Sequence, residues 1–185
     1  MTDDIRGKKV AMLVDNYFEQ AEFTGPKSAL EAAGAEVDVI AVESEDGQVQ
    51  ALQHIDKGDR FPVDKTLDEA DLESYDALVL PGGAINADAL RMVPKAREWV
   101  KQMVSSDRPL AVICHAPWVL ASAGMAKGRK LTSYFTIQDD MRDAGAEWVD
   151  EEVVIDGNLI TSRNPDDVPA FSQAIIAMLK QGSPA

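Results

Sequence analysis

Cys114 is the only cysteine of this 185-residue chain, and the residue after it, His115, is one of two histidines. They sit inside Leu110-Ala-Val-Ile-Cys-His-Ala-Pro-Trp-Val-Leu120, where four apolar residues of strand character run into a segment of helical character. A strand that turns into a helix at a cysteine presents a thiol, because the unpaired N–H groups and positive dipole end of the helix favour a thiolate. Pro117 fits a first helical turn, where its missing donor costs nothing. The preceding strand closes in Pro81-Gly82-Gly83. Gly82 allows backbone to approach closely there, and the backbone N–H groups of Gly83 and His115 are expected to converge as an oxyanion hole for a carbonyl attacked by sulfur.

A thiol nucleophile needs a partner for its proton. His115 is adjacent, but successive strand residues point to opposite faces, so a Cys114–His115 pair has to rely on the turn geometry. Glu19 and Glu22 follow the first strand, whose carboxyl end opens on the same edge of the sheet. A glutamate beside a thiolate is expected to be protonated and to donate a hydrogen bond to sulfur. The alternative for both acids is a surface position at the start of a helix.

The elements that must position these residues are legible. Lys8–Asp15, Glu36–Val42, Tyr75–Leu80 and Leu110–Ile113 read as strands buried on both faces. Phe23, Pro26, Leu30 and Ala33 recur at helical spacing before Gly34, and Ala96, Trp99, Val100, Met103 and Val104 form a second one-sided stripe. Residues 43–65 suggest a hairpin beside the main sheet, with His54 a surface residue in it. Later come a short strand over 130–133, a helix over 137–144, and a hairpin of 153–155 with 159–162. A last helix is capped by Asn164 and opened by Pro165. Strands alternating with helices predict an α/β, three-layer αβα sandwich around a mainly parallel sheet. One domain over residues 1–185 is expected.

Hydrophobic residues make up 45% of the chain and charged residues 27%, the balance of a globular protein. A formal charge of −14 argues against nucleic acid and anionic lipid as partners. The most apolar stretch is interrupted by His115 and Pro117, so no membrane span is expected, and the acidic start Met1-Thr-Asp-Asp has no secretory signal character. A lone cysteine makes no intrachain disulfide, and a cytoplasmic address is the simplest. No cofactor is implied, and no ligand cluster predicts a metal.

Phe18-Glu-Gln-Ala-Glu-Phe-Thr-Gly-Pro26, Leu80-Pro-Gly-Gly83, Ala111-Val-Ile-Cys-His-Ala-Pro117, Gly128-Arg-Lys-Leu-Thr132 and Thr161-Ser-Arg-Asn-Pro-Asp-Asp167 together resemble the DJ-one/PfpI superfamily, over nearly the whole chain. The resemblance implies a flavodoxin-like fold with a nucleophile elbow, related to class I glutamine amidotransferases. It implies Cys114 as nucleophile, Glu22 as its hydrogen-bonding acid and Arg163 in a supporting position. It also implies a homo-oligomer, dimer or hexamer, in which an acid of a neighbouring subunit pairs with the histidine; Asp88 is the nearest match. The family's usual glycine after Cys-His is Ala116 here. With His54 and His115 alone, the late His-Glu pair of true amidotransferase domains is missing. Three functions follow: stress-response chemistry on small reactive carbonyl compounds or glycated proteins, peptide hydrolysis of the PfpI type, and redox sensing by oxidation of Cys114.

Overall fold

The structure is a computed structural model that describes residues 4–182. Most of the acidic start on which the expectation about a secretory signal rests, residues 1–3, lies outside the described residues. In chain order the elements are β1 (Lys9–Val14), β2 (Phe18–Glu19), α1 (Gln20–Ala32), β3 (Glu36–Ala41), β4 (Gln48–Gln53), β5 (Asp56–Pro62), β6 (Lys65–Thr66), β7 (Ala77–Leu80) and α2 (Ala84–Leu90). Then follow α3 (Pro94–Ser105), β8 (Leu110–Ile113), α4 (Pro117–Ser122), β9 (Lys130–Leu131), α5 (Gln138–Asp143), β10 (Glu147–Trp148), β11 (Val154–Asp156), β12 (Leu159–Ser162) and α6 (Val168–Gln181).

The main sheet runs β11-β12-β8-β7-β1-β3-β6, parallel except for β11. Period-two alternation divides its side chains between two cores. Ala11, Leu13, Leu78, Leu80, Leu110 and Val112 pack with α3, α4 and α5 on one face. Val10, Met12, Val14, Ala77, Val79, Ala111 and Ile113 pack with Phe23 and Leu30 of α1 and with Phe171 and Ile175 of α6 on the other. These are the three layers of the expected sandwich. Because β1, β7 and β8 are parallel neighbours, their carboxyl ends, and the loops carrying Asp15, Gly82 and Cys114, open on one edge.

Some elements differ from the expected ones. The Glu43–Lys65 region does form an antiparallel hairpin, β4 with β5, but β2 joins it in a separate sheet. β10 pairs with β9, and α2 follows the Gly82-Gly83 turn directly; neither shows in the sequence, since each is too short for periodicity to register. Asn164 caps a 3₁₀ turn, Pro165–Asp167, that precedes α6 rather than α6 itself. Among the described residues no helix is long and apolar enough to cross a membrane.

Ile113 ends β8 fully buried against the α1 and α6 core. Ile113→Ala is expected to lower stability by about 2–5 kcal/mol through lost transfer energy and an unfilled cavity. Urea unfolding is the check: a lower midpoint at unchanged slope.

Candidate active site

The turn after β8 decides where the thiol goes. Cys114 has φ 65°, in the left-handed region that residues with a side chain rarely occupy. Holding it there costs about 1–3 kcal/mol, which surrounding bonds must offset. The Cys114 N–H donates to the Ser162 carbonyl at the end of β12 (3.1 Å), and the Cys114 carbonyl accepts from the Tyr134 N–H (2.8 Å). Behind it, the Ala116 N–H returns to the Ile113 carbonyl (3.0 Å), and Pro117 opens α4 as expected. The reversal also moves the side chain across the sheet. Ala111 and Ile113 face α1 and α6, so alternation would send residue 114 to the opposite core, yet Cys114 lies with them, 6% exposed.

There it meets Glu22. Glu22 is fully buried, on one stripe of α1 with Pro26 and Leu30, and is no surface acid. Its carboxyl lies against Gly82 and the Cys114 thiol, which favour its charged form, but neither oxygen has a hydrogen-bond partner within bonding geometry among the described residues. Burial pushes Glu22 up to about 8, and the nearby charge of Glu19 acts the same way against the opposing influence of the Cys114 thiol and the Gly82 N–H. Burial also raises the Cys114 thiol, an ionised Glu22 would raise it further, and the backbone N–H groups of Gly83 and His115 oppose both. Two groups so placed do not ionise together. Whenever the sulfur is a thiolate, Glu22 is a carboxylic acid able to donate to it.

His115 Nδ1 lies 3.2 Å from Cys114 Sγ. The alternation that would separate the two side chains does not apply, because the left-handed residue between strand and helix breaks it. The ring is stacked on Tyr134 with centroids 4.7 Å apart and stands edge-on to Trp118, and its burial favours the neutral imidazole. Among the described residues no carboxylate hydrogen-bonds to it. Asp88 is exposed on α2, without a hydrogen bond to His115 in the same chain.

Glu19, the other candidate acid, points elsewhere: its carboxylate accepts from the His54 backbone N–H (3.2 Å) on the β4–β5 turn. Its backbone N–H donates to the Gly82 carbonyl (3.2 Å). Arg163 follows β12 directly, but its guanidinium forks onto the buried Asp167 (2.9 and 3.0 Å) and reaches Asp150 (2.9 Å). It braces the loop beside the cysteine and does not touch the sulfur's partners. Tyr134 and Asn86 are the site residues that sequence reasoning missed. An Asn shortly after a Gly-Gly turn was a usable signal, since Asn side chains bond back to nearby backbone. Tyr134 gave no local signal.

The glycines are required by space. A Cβ on Gly82 would collide with Glu22 Oε1 and lie 2.6 Å from Cys114 Cβ; Gly83 has φ 92°, and its Cβ would lie 2.7 Å from the Glu19 nitrogen. A groove of about 320 Å³ between α1 and β5, lined by Phe23, Lys27 and Phe61, includes neither Cys114 nor Glu22. Among the described residues no group of three or more His, Cys, Asp or Glu could hold a metal ion. The arrangement can generate a sulfur nucleophile, hold a proton beside it and supply two amide donors.

The family described as DJ-1/PfpI matches residues 8–178. A protein named Deglycase PfpI from Pyrococcus furiosus is 42% identical over 172 residues, covering 93% of this chain and 99% of that one. General stress protein 18 of Bacillus subtilis is 39% identical over 177 residues, covering 95% and 99%. Among solved structures, a two-domain protein of Anabaena variabilis containing DJ-1/ThiJ/PfpI-like and ferritin-like domains superposes with a TM-score of 0.86 at 35% identity. The match covers 94% of this chain and 48% of that protein.

Two outcomes follow from the geometry. Glu22 is protonated in the folded protein up to about 8 but ionises near 4.5 when unfolded, so its contribution is complete at acid pH and is lost as pH rises through that window. Thermal unfolding of Glu22→Gln is therefore expected to fall less steeply than wild type between those values, by at most roughly 1.4 kcal/mol per pH unit. Gly82→Ala is expected to cost about 1–3 kcal/mol by overpacking. It should also slow alkylation of Cys114 by iodoacetamide, because Glu22 or the sulfur must shift.

Proposed function

Because the chain belongs to the DJ-1/PfpI family, we propose that it is a cysteine-dependent enzyme acting on reactive carbonyl compounds or on the adducts they form with proteins. The observation that carries the reading is the buried Glu22 carboxyl facing a Cys114 thiol that also has His115 Nδ1 at 3.2 Å. The similarity to Deglycase PfpI supports the substrate class, and that to General stress protein 18 supports a stress-response setting. One domain over residues 1–185 and a cytoplasmic address belong to the same reading.

In the reaction the Cys114 thiolate adds to the carbonyl carbon of an aldehyde. A C–S bond forms as the C=O π pair moves onto oxygen. The backbone N–H groups of Gly83 and His115, which act on the sulfur in the resting site, stabilise the developing oxyanion. The thiol proton passes to His115 Nδ1 as the thiolate forms and from there to the oxyanion, which completes a hemithioacetal, returns the imidazole to its neutral form and leaves Glu22 protonated. Neutral His115, favoured by its burial, can then accept a proton from the bound substrate. The apolar surroundings that raise Glu22 also keep its proton available near neutral pH.

A second reading, peptide hydrolysis, is favoured by the Cys114–His115 contact, since a thiol–imidazole pair is the working unit of acyl transfer to sulfur. It needs an acid on His115. In an assembled homo-oligomer the exposed Asp88 is the acid available to a neighbouring copy's His115.

Methylglyoxal consumption separates the readings. Wild type is expected to consume it, Cys114→Ser to fall to the uncatalysed rate, and Glu22→Gln to keep a small fraction of activity. Equal rates for wild type and Cys114→Ser would sink the carbonyl reading.

A further inference from the structure

Asn86 is fully buried in the first turn of α2, yet its amide is not turned toward solvent or a helix neighbour. Its Nδ2 donates to the carbonyls of Pro81 and Gly82, each at 3.0 Å, and its Oδ1 accepts from the Asp15 N–H at 2.7 Å. Two acceptors on one side and a donor on the other dictate the amide's orientation. The bond to Asp15 anchors the side chain to the end of β1, so the loop after β7 is held from the neighbouring strand.

The two clasped carbonyls are not arbitrary. A peptide group is planar and trans, so its C=O and N–H point in opposite directions. The Pro81 carbonyl shares a peptide plane with the N–H of Gly82, a residue packed against Glu22 Oε1 and 2.6 Å from Cys114 Cβ at the position a Cβ would take. The Gly82 carbonyl shares one with the Gly83 N–H, the group that interacts with the Cys114 sulfur. Glycines resist rotation of these planes less than any other residue, and Gly83 already has φ 92°. Among the described residues the Gly82 carbonyl accepts, apart from Asn86, only the longer bond from the Glu19 N–H (3.2 Å).

We infer that Asn86 is a positioning residue: by clasping the Pro81 and Gly82 carbonyls from behind, it fixes the two peptide planes so that the Gly82 and Gly83 N–H groups stay beside the Glu22 carboxyl and the Cys114 sulfur. It touches neither reacting atom. Its effect on turnover rests on the reading of Cys114 as nucleophile, but its effect on the thiol does not.

The test uses the chain's single cysteine, which makes alkylation by iodoacetamide a clean readout. Asn86→Ser and Asn86→Ala are compared with wild type across pH, alongside thermal melts. Val100→Ala, in the core on the other side of the sheet, serves as a destabilised control. Removing the clasp frees the Gly83 N–H from the thiolate. Both Asn86 variants should then react about tenfold more slowly at neutral pH, as the midpoint rises by roughly one unit. The control should lose stability and keep the wild-type midpoint. Folded Asn86 variants with the wild-type profile would overturn the inference, because a purely structural cap lowers the melting temperature without moving that midpoint. In the wild type, where folding is not at issue, the Gly83 amide and Asn86 Nδ2 proton resonances should move together as Cys114 titrates; a silent Asn86 would equally overturn it. Alkylation needs no substrate. A wild-type protein that leaves methylglyoxal untouched would count against the functional reading and leave the Asn86 result intact.

Discussion

A carboxyl and a thiol enclosed together in an apolar layer can carry one negative charge between them at little cost, but not two. That constraint, between Glu22 on α1 and Cys114 after β8, governs the rest of the site. Glu22 can stay buried because it is protonated, and a protonated Glu22 can donate to sulfur. The same pairing makes Gly82 obligatory, since its position between the two side chains leaves no room for a Cβ.

Around this pair the fold supplies rigidity from four neighbouring strands or their loops. β12 accepts the Cys114 N–H, the segment after β9 donates the Tyr134 N–H to the Cys114 carbonyl, and the loop after β7 carries two amides. β1 anchors that loop through Asn86. Each bond is worth only about 1 kcal/mol net. Together they hold a left-handed cysteine that no single one of them would maintain. The Arg163–Asp167 fork adds a brace on the loop after β12, away from the sulfur.

Much of this was legible before any coordinates. Continuous apolar runs marked β1, β7 and β8, because strands covered on both faces leave a signal that survives in a single sequence. Cys114 and the Gly82-Gly83 turn were legible as chemistry because each is an unusual residue type at a strand's carboxyl end, and Glu22 became the acid through the family resemblance. The sequence stripe of Phe23, Pro26, Leu30 and Ala33 left a surface position open for Glu22; the structure puts Glu22 on the buried face with Pro26 and Leu30, residues four apart sharing a helix face. Asn86 and Tyr134 were not legible. Their partners lie on other elements, Asn86 itself sits in a seven-residue helix too short for periodicity, and their roles exist only once the loops converge.

The sequence by itself therefore determined the layers, the edge on which the site opens and the identity of the thiol, because burial and turn formation are written in residue types and spacing; between Glu19 and Glu22 the residues alone left the choice of acid open. It could not determine which face of the sheet receives the sulfur. Strand alternation extrapolated through Ile113 sends Cys114 away from α1 and separates it from His115, whereas the left-handed turn at φ 65° brings the sulfur back to Glu22 and His115 Nδ1 to 3.2 Å. That turn is unfavourable for the isolated segment, and only the contacts from Ser162 and Tyr134, distant in sequence, make it the stable conformation.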